Sequence, residues 1–211
     1  MAVTQNTIIG RTRGRIGNVI FSQWKDLNIA KQKPEAVANP RTAQQIANRL
    51  KFIALLALGK TLRPILQIGM KEYAGRLSWL NKFMSLNSGT GVLEWNGTDA
   101  WELVPEKLVV SDGSLFPNPF TVSSAAGIVT IHWATTPVSN QAGTDELFGV
   151  VICGSSTKFI NGDIGRSLGT TTVNLSAEAN LAPYRCALFF MRYDGLIVSS
   201  STNVGGILVN P

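Results

Sequence analysis

Histidine and cysteine are nearly missing from this sequence, with one His and two Cys in 211 residues. That scarcity removes most zinc sites, most histidine-based hydrolases and any disulfide-rich scaffold. Charge is sparse too, at 15% of residues against 45% hydrophobic ones, a balance that folds rather than stays disordered. Long apolar runs are lacking. The greasiest, residues 52–58, is held between Lys51 and Lys60, whereas a membrane span needs roughly 20 residues. The opening MAVTQNTIIGRTRGRIG has no apolar signal core, and neither end carries a lipidation motif. The expectation is a protein made in the cytoplasm, not exported by the usual signal and not membrane-bound.

Catalytic signatures fail in turn. Gly59-Lys60-Thr61 has the tail of a phosphate-binding loop, but Ala54 stands where its first glycine belongs and the preceding run is helical. Gly10, Gly14 and Gly17 miss the dinucleotide spacing. Asp145-Glu146, the one adjacent acidic pair, reads as the solvated end of a loop, since neighbours on an extended chain point apart. His132 has no acidic or nucleophilic neighbour, residues 199–201 read as strand surface, and no nucleophile elbow occurs. The expectation is no enzyme, no cofactor and no metal.

What the sequence does have is lopsided charge. Residues 1–99 hold 14 Lys/Arg and 5 Asp/Glu, a net of +9, while residues 100–211 hold 5 and 8, a net of −3. Three zones follow. Residues 1–38 form a basic arm in which 18–24 and 27–31 pair as a β-hairpin around Lys25-Asp26, with Gly10, Gly14 and Gly17 keeping its start flexible. Residues 39–102 are a helical region and linker. Asn39 caps a first helix, Pro40 opens it, Ile46, Leu50, Ile53 and Ala57 form its apolar face, and Gly59 ends it. A second helix covers 62–73, with Pro64 in its first turn, Gly69 within it and Tyr73 at its end, and a third covers 79–86.

Residues 103–211 read as a β-sandwich, with strands at 107–110, 127–133, 147–153, 170–175, 185–193, 196–200 and 204–209 and tight turns at Asn161-Gly162 and Asp194-Gly195. Val129, Ile131 and Trp133 share its inner face, so His132 points outward. Tyr184 sits where a tyrosine corner would, and Cys153 and Cys186 read as buried free thiols. Trp133 and Tyr184 together resemble immunoglobulin-like or fibronectin type III domains. The fold class is α+β: hairpin arm, helical segment, Ig-like/fibronectin III-like sandwich.

The candidate contact residues are Arg11, Arg13, Arg15, Lys25, Lys31, Lys33, Arg41, Arg49 and Lys51. Such a polycation neutralises phosphates, pairs with acidic surface on a neighbouring subunit, or is simply solvated. Phe21 and Trp24 fit base stacking or core burial. A hairpin that cannot bury both its faces alone tends to dock on another chain.

The pattern Gly17-Asn18-Val19, Trp24-Lys25, Asn28-Ile29, Lys33-Pro34, Asn39-Pro40-Arg41-Thr42-x2-Gln45 and Arg49-x-Lys51-Phe52 resembles a domain-of-unknown-function family of Bacteroidota and the phages that infect them. The likeness continues through Ile68-Gly69, Lys71-x-Tyr73-Ala74, Val129-Thr130-Ile131-x-Trp133, Leu188-Phe189-Phe190, Asp194-Gly195 and Val198-Ser199. Asp26 departs from it, standing where glycine is expected. The resemblance implies a basic helical part followed by an Ig-like sandwich, and it brings no activity and no catalytic residues. The leading expectation is a structural subunit of an assembly, a phage virion component if phage-encoded, whose partners are copies of itself or other virion proteins. The alternatives are a nucleic-acid-packaging protein using the arm and a carbohydrate-binding module using Trp95 and Trp101.

Overall fold

The computed structural model describes residues 2–4, 13–25, 27–36, 41–72, 77–98, 100–154, 156–178 and 180–210. Arg11, Asp26, Asn39, Pro40 and Tyr73 lie outside that set. The chain divides into two units, Met1–Gln45 and Ile46–Pro211.

The first unit is a four-stranded antiparallel sheet: β1 (Ala2–Thr4), β2 (Gly14–Ile16), β3 (Val19–Trp24) and β4 (Leu27–Gln32), in the order β1-β4-β3-β2. The expected β3–β4 hairpin is its centre, and Lys25 turns it with a φ of 51°. Of the three glycines expected to loosen the start, Gly10 lies outside the described residues, and Gly17 has a defined turn position. Gly17 adopts φ +58° at the Gly17-Asn18 turn joining β2 to β3, the left-handed geometry that a two-residue hairpin loop requires. Among the described side chains of this unit none is buried.

In the second unit, helix α1 (Ala43–Thr61) enters from the unit boundary, and Thr42 Oγ1 accepts a hydrogen bond from the Gln45 amide at 3.3 Å. The face it buries is not the expected one. Leu55 and Gly59 are buried while Ile46, Ile53 and Ala57 are exposed. Gly59 does not end the helix. A Cβ there would meet Leu80 Cδ1 at 2.8 Å, the movable end of a side chain, so α1 passes close to the third helix at this point. Helix α2 (Arg63–Gly69), with Pro64 in its first turn, follows α1 at a bend of 86°. Gly69 is the position where glycine is needed, because a Cβ there would lie 2.3 Å from the Val110 carbonyl oxygen, a backbone atom that cannot move aside alone. Helix α3 (Trp79–Asn87) is capped by Ser78, whose Oγ accepts from the Asn81 amide at 3.2 Å. At its other end buried Asn87 donates to the Phe83 and Val109 carbonyls and accepts from the Val109 amide, tying α3 to the chain that enters the sandwich. No single helix among the described residues is long and apolar enough to cross a membrane.

A short hairpin, β5 (Leu93–Trp95) and β6 (Trp101–Leu103), leads to the sandwich strands β7 (Phe120–Ala125), β8 (Ile128–Trp133), β9 (Glu146–Cys153), β10 (Ser156–Gly165), β11 (Thr170–Asn174), β12 (Pro183–Met191) and β13 (Thr202–Ile207). They form a three-stranded sheet, β11-β8-β7, and a four-stranded sheet, β10-β9-β12-β13. Residues of β9 and β12 alternate between two cores. Leu147, Val151, Cys186, Leu188 and Phe190 face Val129, Ile131 and Trp133 of β8. Phe148, Val150 and Phe189 on the other face join Leu55, Leu62, Ile65, Leu66 and Phe83 of the helical segment. The larger sheet is thus covered on both sides, which is why β9 and β12 read as continuous apolar runs rather than alternating ones.

Several strand assignments shift. Residues 107–110 form no strand; Pro105–Lys107 is a 3-10 turn, and Leu108 and Val110 beyond it are drawn into the core beneath the helices. Residues 196–200 contribute only isolated bridges, with Leu115 and Met191. Asn161-Gly162 is not a turn. It lies inside β10, where the register slips between Asn161 and Gly165, and Gly162 takes φ +85° beneath the Phe148 ring. Strand β7 has no counterpart in the sequence reading, because its Thr and Ser positions carry the weak alternation of an edge.

Candidate interaction surfaces

Register fixes which residues share a face of the first sheet. Arg15, Ile20 and Lys31 form one cross-strand row, and Trp24 with Leu27 lies on the same face. Ile16, Val19, Phe21 and Ala30 lie on the other. Both faces therefore carry apolar side chains beside polar ones, and Ile16 is 71% and Trp24 47% exposed. The edge strands β1 and β2 have three residues each, too short to template much edge-to-edge pairing.

Of the sequence-predicted cations, Arg13, Arg15, Lys25, Lys31 and Lys33 belong to this sheet and its flanks, Arg41, Arg49 and Lys51 lie before or on α1, and Arg11 is outside the described residues. Arg13 is exposed before β2, and Arg15 Nε donates to the Gly17 carbonyl at 2.8 Å. Lys25 sits at the hairpin tip, Lys31 is exposed on β4, and the Lys33 amide donates to the Asn18 carbonyl at 2.7 Å. Arg41 precedes α1, and Arg49 is exposed on it. Lys51 has an internal task. Its Nζ donates to the Ser88 carbonyl at 2.9 Å, at the C-terminal end of α3 where a cation suits the helix dipole, and sits 5.2 Å from the centre of the Trp101 ring.

Trp95 and Trp101 form a cross-strand pair with ring centroids 5.5 Å apart and planes tilted by 59°, and Trp101 Nε1 donates to the Ala47 carbonyl at 3.0 Å. The tilt gives no flat sugar platform, and the indole hydrogen bond fixes the hairpin to α1. His132 is exposed between Thr121 and Thr170, as the alternation predicts.

Asp145 corrects the sequence reading. It is fully buried rather than solvated, and its Oδ2 accepts from Arg166 Nε at 3.2 Å and from the Ala142 amide at 2.8 Å. The equally buried Arg166 lies 4.0 Å over the Phe190 ring, and its carbonyl accepts from Trp133 Nε1 at 2.8 Å. Burial pulls the Arg166 pKa down, and the Asp145 charge opposes that. Tyr184 is buried as expected, and burial raises the pKa of its hydroxyl. Cys153 and Cys186 are buried free thiols, and burial pushes Cys186 up to about 12. Among the described residues no group of three His, Cys, Asp or Glu is placed to hold a metal.

Missed by sequence reasoning was the outer surface of α1. Phe52 and Ile53 are each 59% exposed, and Phe52 and Leu56 line a groove with Leu80 and Met84 of α3. Its signal, an apolar stripe beside the buried one, is present in the sequence but indistinguishable there from core.

The second sandwich sheet takes its fourth strand from β10, which pairs with β9 instead of crossing to the sheet of β7 and β8. That three-plus-four division defines a fibronectin type III-like sandwich, here with a helical layer on its larger sheet. By sequence the chain belongs to the family of unknown function DUF6266, which it matches over residues 11–205. No curated protein matches it. Among solved structures it is similar to the FN1–FN3 domains of chicken CNTN1, at 6% identity and a TM-score of 0.36 over 47% of this chain and 33% of that one. It is also similar to an FN3 domain of human collagen XX, at 13% identity and a TM-score of 0.34 over 46% of this chain and 93% of that one.

Proposed function

We propose that this chain is a non-enzymatic structural subunit of a multi-subunit assembly, of the kind a bacteriophage virion provides. The basic N-terminal sheet engages neighbouring subunits, and the helix-backed sandwich is the body it anchors. One observation carries the reading: the sheet of Met1–Gln45 has apolar residues on both faces and no buried side chain among those described. A single sheet is not a stable layer by itself and needs a second layer against it. Its short edges favour docking by face. Other copies of the chain, or other assembly proteins, are the partners this surface suits.

The test is light scattering on the full chain and on Ile16→Ser/Trp24→Ser. The wild type is expected at a defined multiple of 22.7 kDa, and the double variant at a lower mass with unchanged circular dichroism. A wild type that runs as a monomer contradicts the proposal.

A second reading, nucleic-acid packaging, is favoured by charge. Residues 1–45 hold 7 Lys/Arg and 2 Asp/Glu, a net of +5. It predicts affinity falling steeply with salt, with a log–log slope of about −0.9 per neutralised phosphate, and loss of binding in Arg11→Ala/Arg13→Ala/Arg15→Ala.

A further inference from the structure

The sandwich is closed along one side and open along the other. Where β7 meets β13, Ser124 Oγ donates to the Ile207 carbonyl at 2.7 Å and accepts from the Val209 amide at 3.1 Å. On the opposite side β10 and β11 are both edge strands, and the cleft between them, about 370 Å³, is lined by Phe159, Ile164, Thr171 and Val173. The two edges differ. β10 is blunted by exposed Lys158 and Asp163 and by its register slip, the usual protections against pairing with another chain. β11, Thr170-Thr171-Thr172-Val173-Asn174, has no charge, no proline and an unbroken register with β8. Its free side follows from the bonds at its two ends. The Gly169 carbonyl accepts from the Trp133 amide at 3.0 Å, and the Leu175 amide donates to the Gly127 carbonyl at 2.8 Å. Alternation then turns the N–H and C=O of Thr171 and Val173 to β8, and those of Thr170, Thr172 and Asn174 to the open edge.

We infer that β11 pairs antiparallel with β11 of a second copy, about a two-fold axis at Thr172. Each Thr172 then exchanges both backbone hydrogen bonds with its counterpart, and Thr170 of each copy does the same with Asn174 of the other. The strand is its own complement. Thr172 faces Thr172 and Thr171 faces Val173, pairs of β-branched side chains that suit neighbouring strands, and no like charges meet. Net charge does not oppose the contact either, since residues 46–211 hold 12 Lys/Arg and 11 Asp/Glu, a net of +1. A five-residue edge falls well short of the roughly 1,000 Å² that a stable interface needs. The contact therefore rests on the assembly reading for its occupancy: copies already held through their N-terminal sheets meet at β11 with a high effective concentration.

The test is disulfide trapping in the full chain, with Thr172→Cys, Thr170→Cys and Asn174→Cys made separately at these exposed positions. The native Cys153 and Cys186 are buried. Directly opposed residues that exchange backbone bonds have Cα atoms about 5.5 Å apart, within disulfide reach. Under mild oxidation Thr172→Cys is expected to form a covalent dimer by itself. Thr170→Cys and Asn174→Cys are expected to cross-link only to each other, when mixed while reduced and then oxidised. Both reactions should run at least ~10-fold faster than self-linking of Thr170→Cys. Thr172→Cys that links no faster than Thr170→Cys, or a mixture that yields no Thr170–Asn174 heterodimer, overturns the inference whatever mass the wild type shows. A wild type that is monomeric by light scattering counts instead against the assembly reading, so the two failures are distinguishable.

Discussion

Asp145 and Arg166 meet in the sandwich core with no exposed side-chain surface on either, and such a pair is more a constraint than a source of stability. Removing one partner strands the other charge in an apolar interior, whereas replacing both by apolar groups is close to neutral. Asp145→Ala is therefore expected to destabilise by about 3–5 kcal/mol in urea melts, and Asp145→Leu/Arg166→Met by far less. A double variant as unstable as the single one would show that the ion pair itself holds the fold. Cys186 supplies a pH dependence. Its thiol ionises at roughly 8.5 once unfolded but is held up to about 12 in the native state. Between those values the native state keeps a proton that the unfolded state has lost, so stability falls as pH rises, by up to about 1.4 kcal/mol per unit. Cys186→Ala is expected to flatten that decline in melts taken across the window, with the raised Cys153 and Tyr184 leaving a remainder. At this scale sequence reading succeeded where alternation decides, as with outward His132 and inward Trp133. It failed for Asp145, because nothing local announces a partner 21 residues further on.

Elements were legible where they make their own case. The β3–β4 hairpin, α3, β8, β9 and β11 all lie close to their expected positions, because period and turn residues specify them locally. The faces of the helices were not legible. Between Phe52 and Leu58 every residue of α1 is apolar, so its local sequence does not single out Leu55 over Ile53 as core; packing against the rest of the body does. The glycines make this testable. On propensity alone, Gly69→Ala in α2 gains about 1 kcal/mol. Here the added methyl would press on the Val110 carbonyl, and the expected result is a net loss of about 1–3 kcal/mol by chemical denaturation. A gain in stability would mean that α2 and the 108–110 segment are not held together as described. β10 shows the converse. Asn161-Gly162 is a strong turn signal in isolation, but inside a ladder with β9 the same left-handed glycine makes a bulge.

As a whole molecule, the protein combines a sheet whose described side chains are all at least partly exposed with a three-layer body that has two hydrophobic cores. The body's layers follow from composition, since β9 and β12 are too continuously apolar to leave one face in water. The sheet's partner does not follow, because both its faces are mixed and its charge suits protein and nucleic acid alike. That contrast carries the proposal of a sheet that engages neighbouring subunits and a body that does not depend on it to fold. The most direct measurement compares the full chain with one beginning at Arg41, which keeps the Thr42 cap of α1, by light scattering in low and high salt and before and after nuclease. The account predicts a nucleic-acid-free oligomer for the full chain, indifferent to salt and nuclease, and a folded monomer for the shortened one. A full chain that is already monomeric, or one whose high-mass peak absorbs strongly at 260 nm and collapses with nuclease, would contradict it.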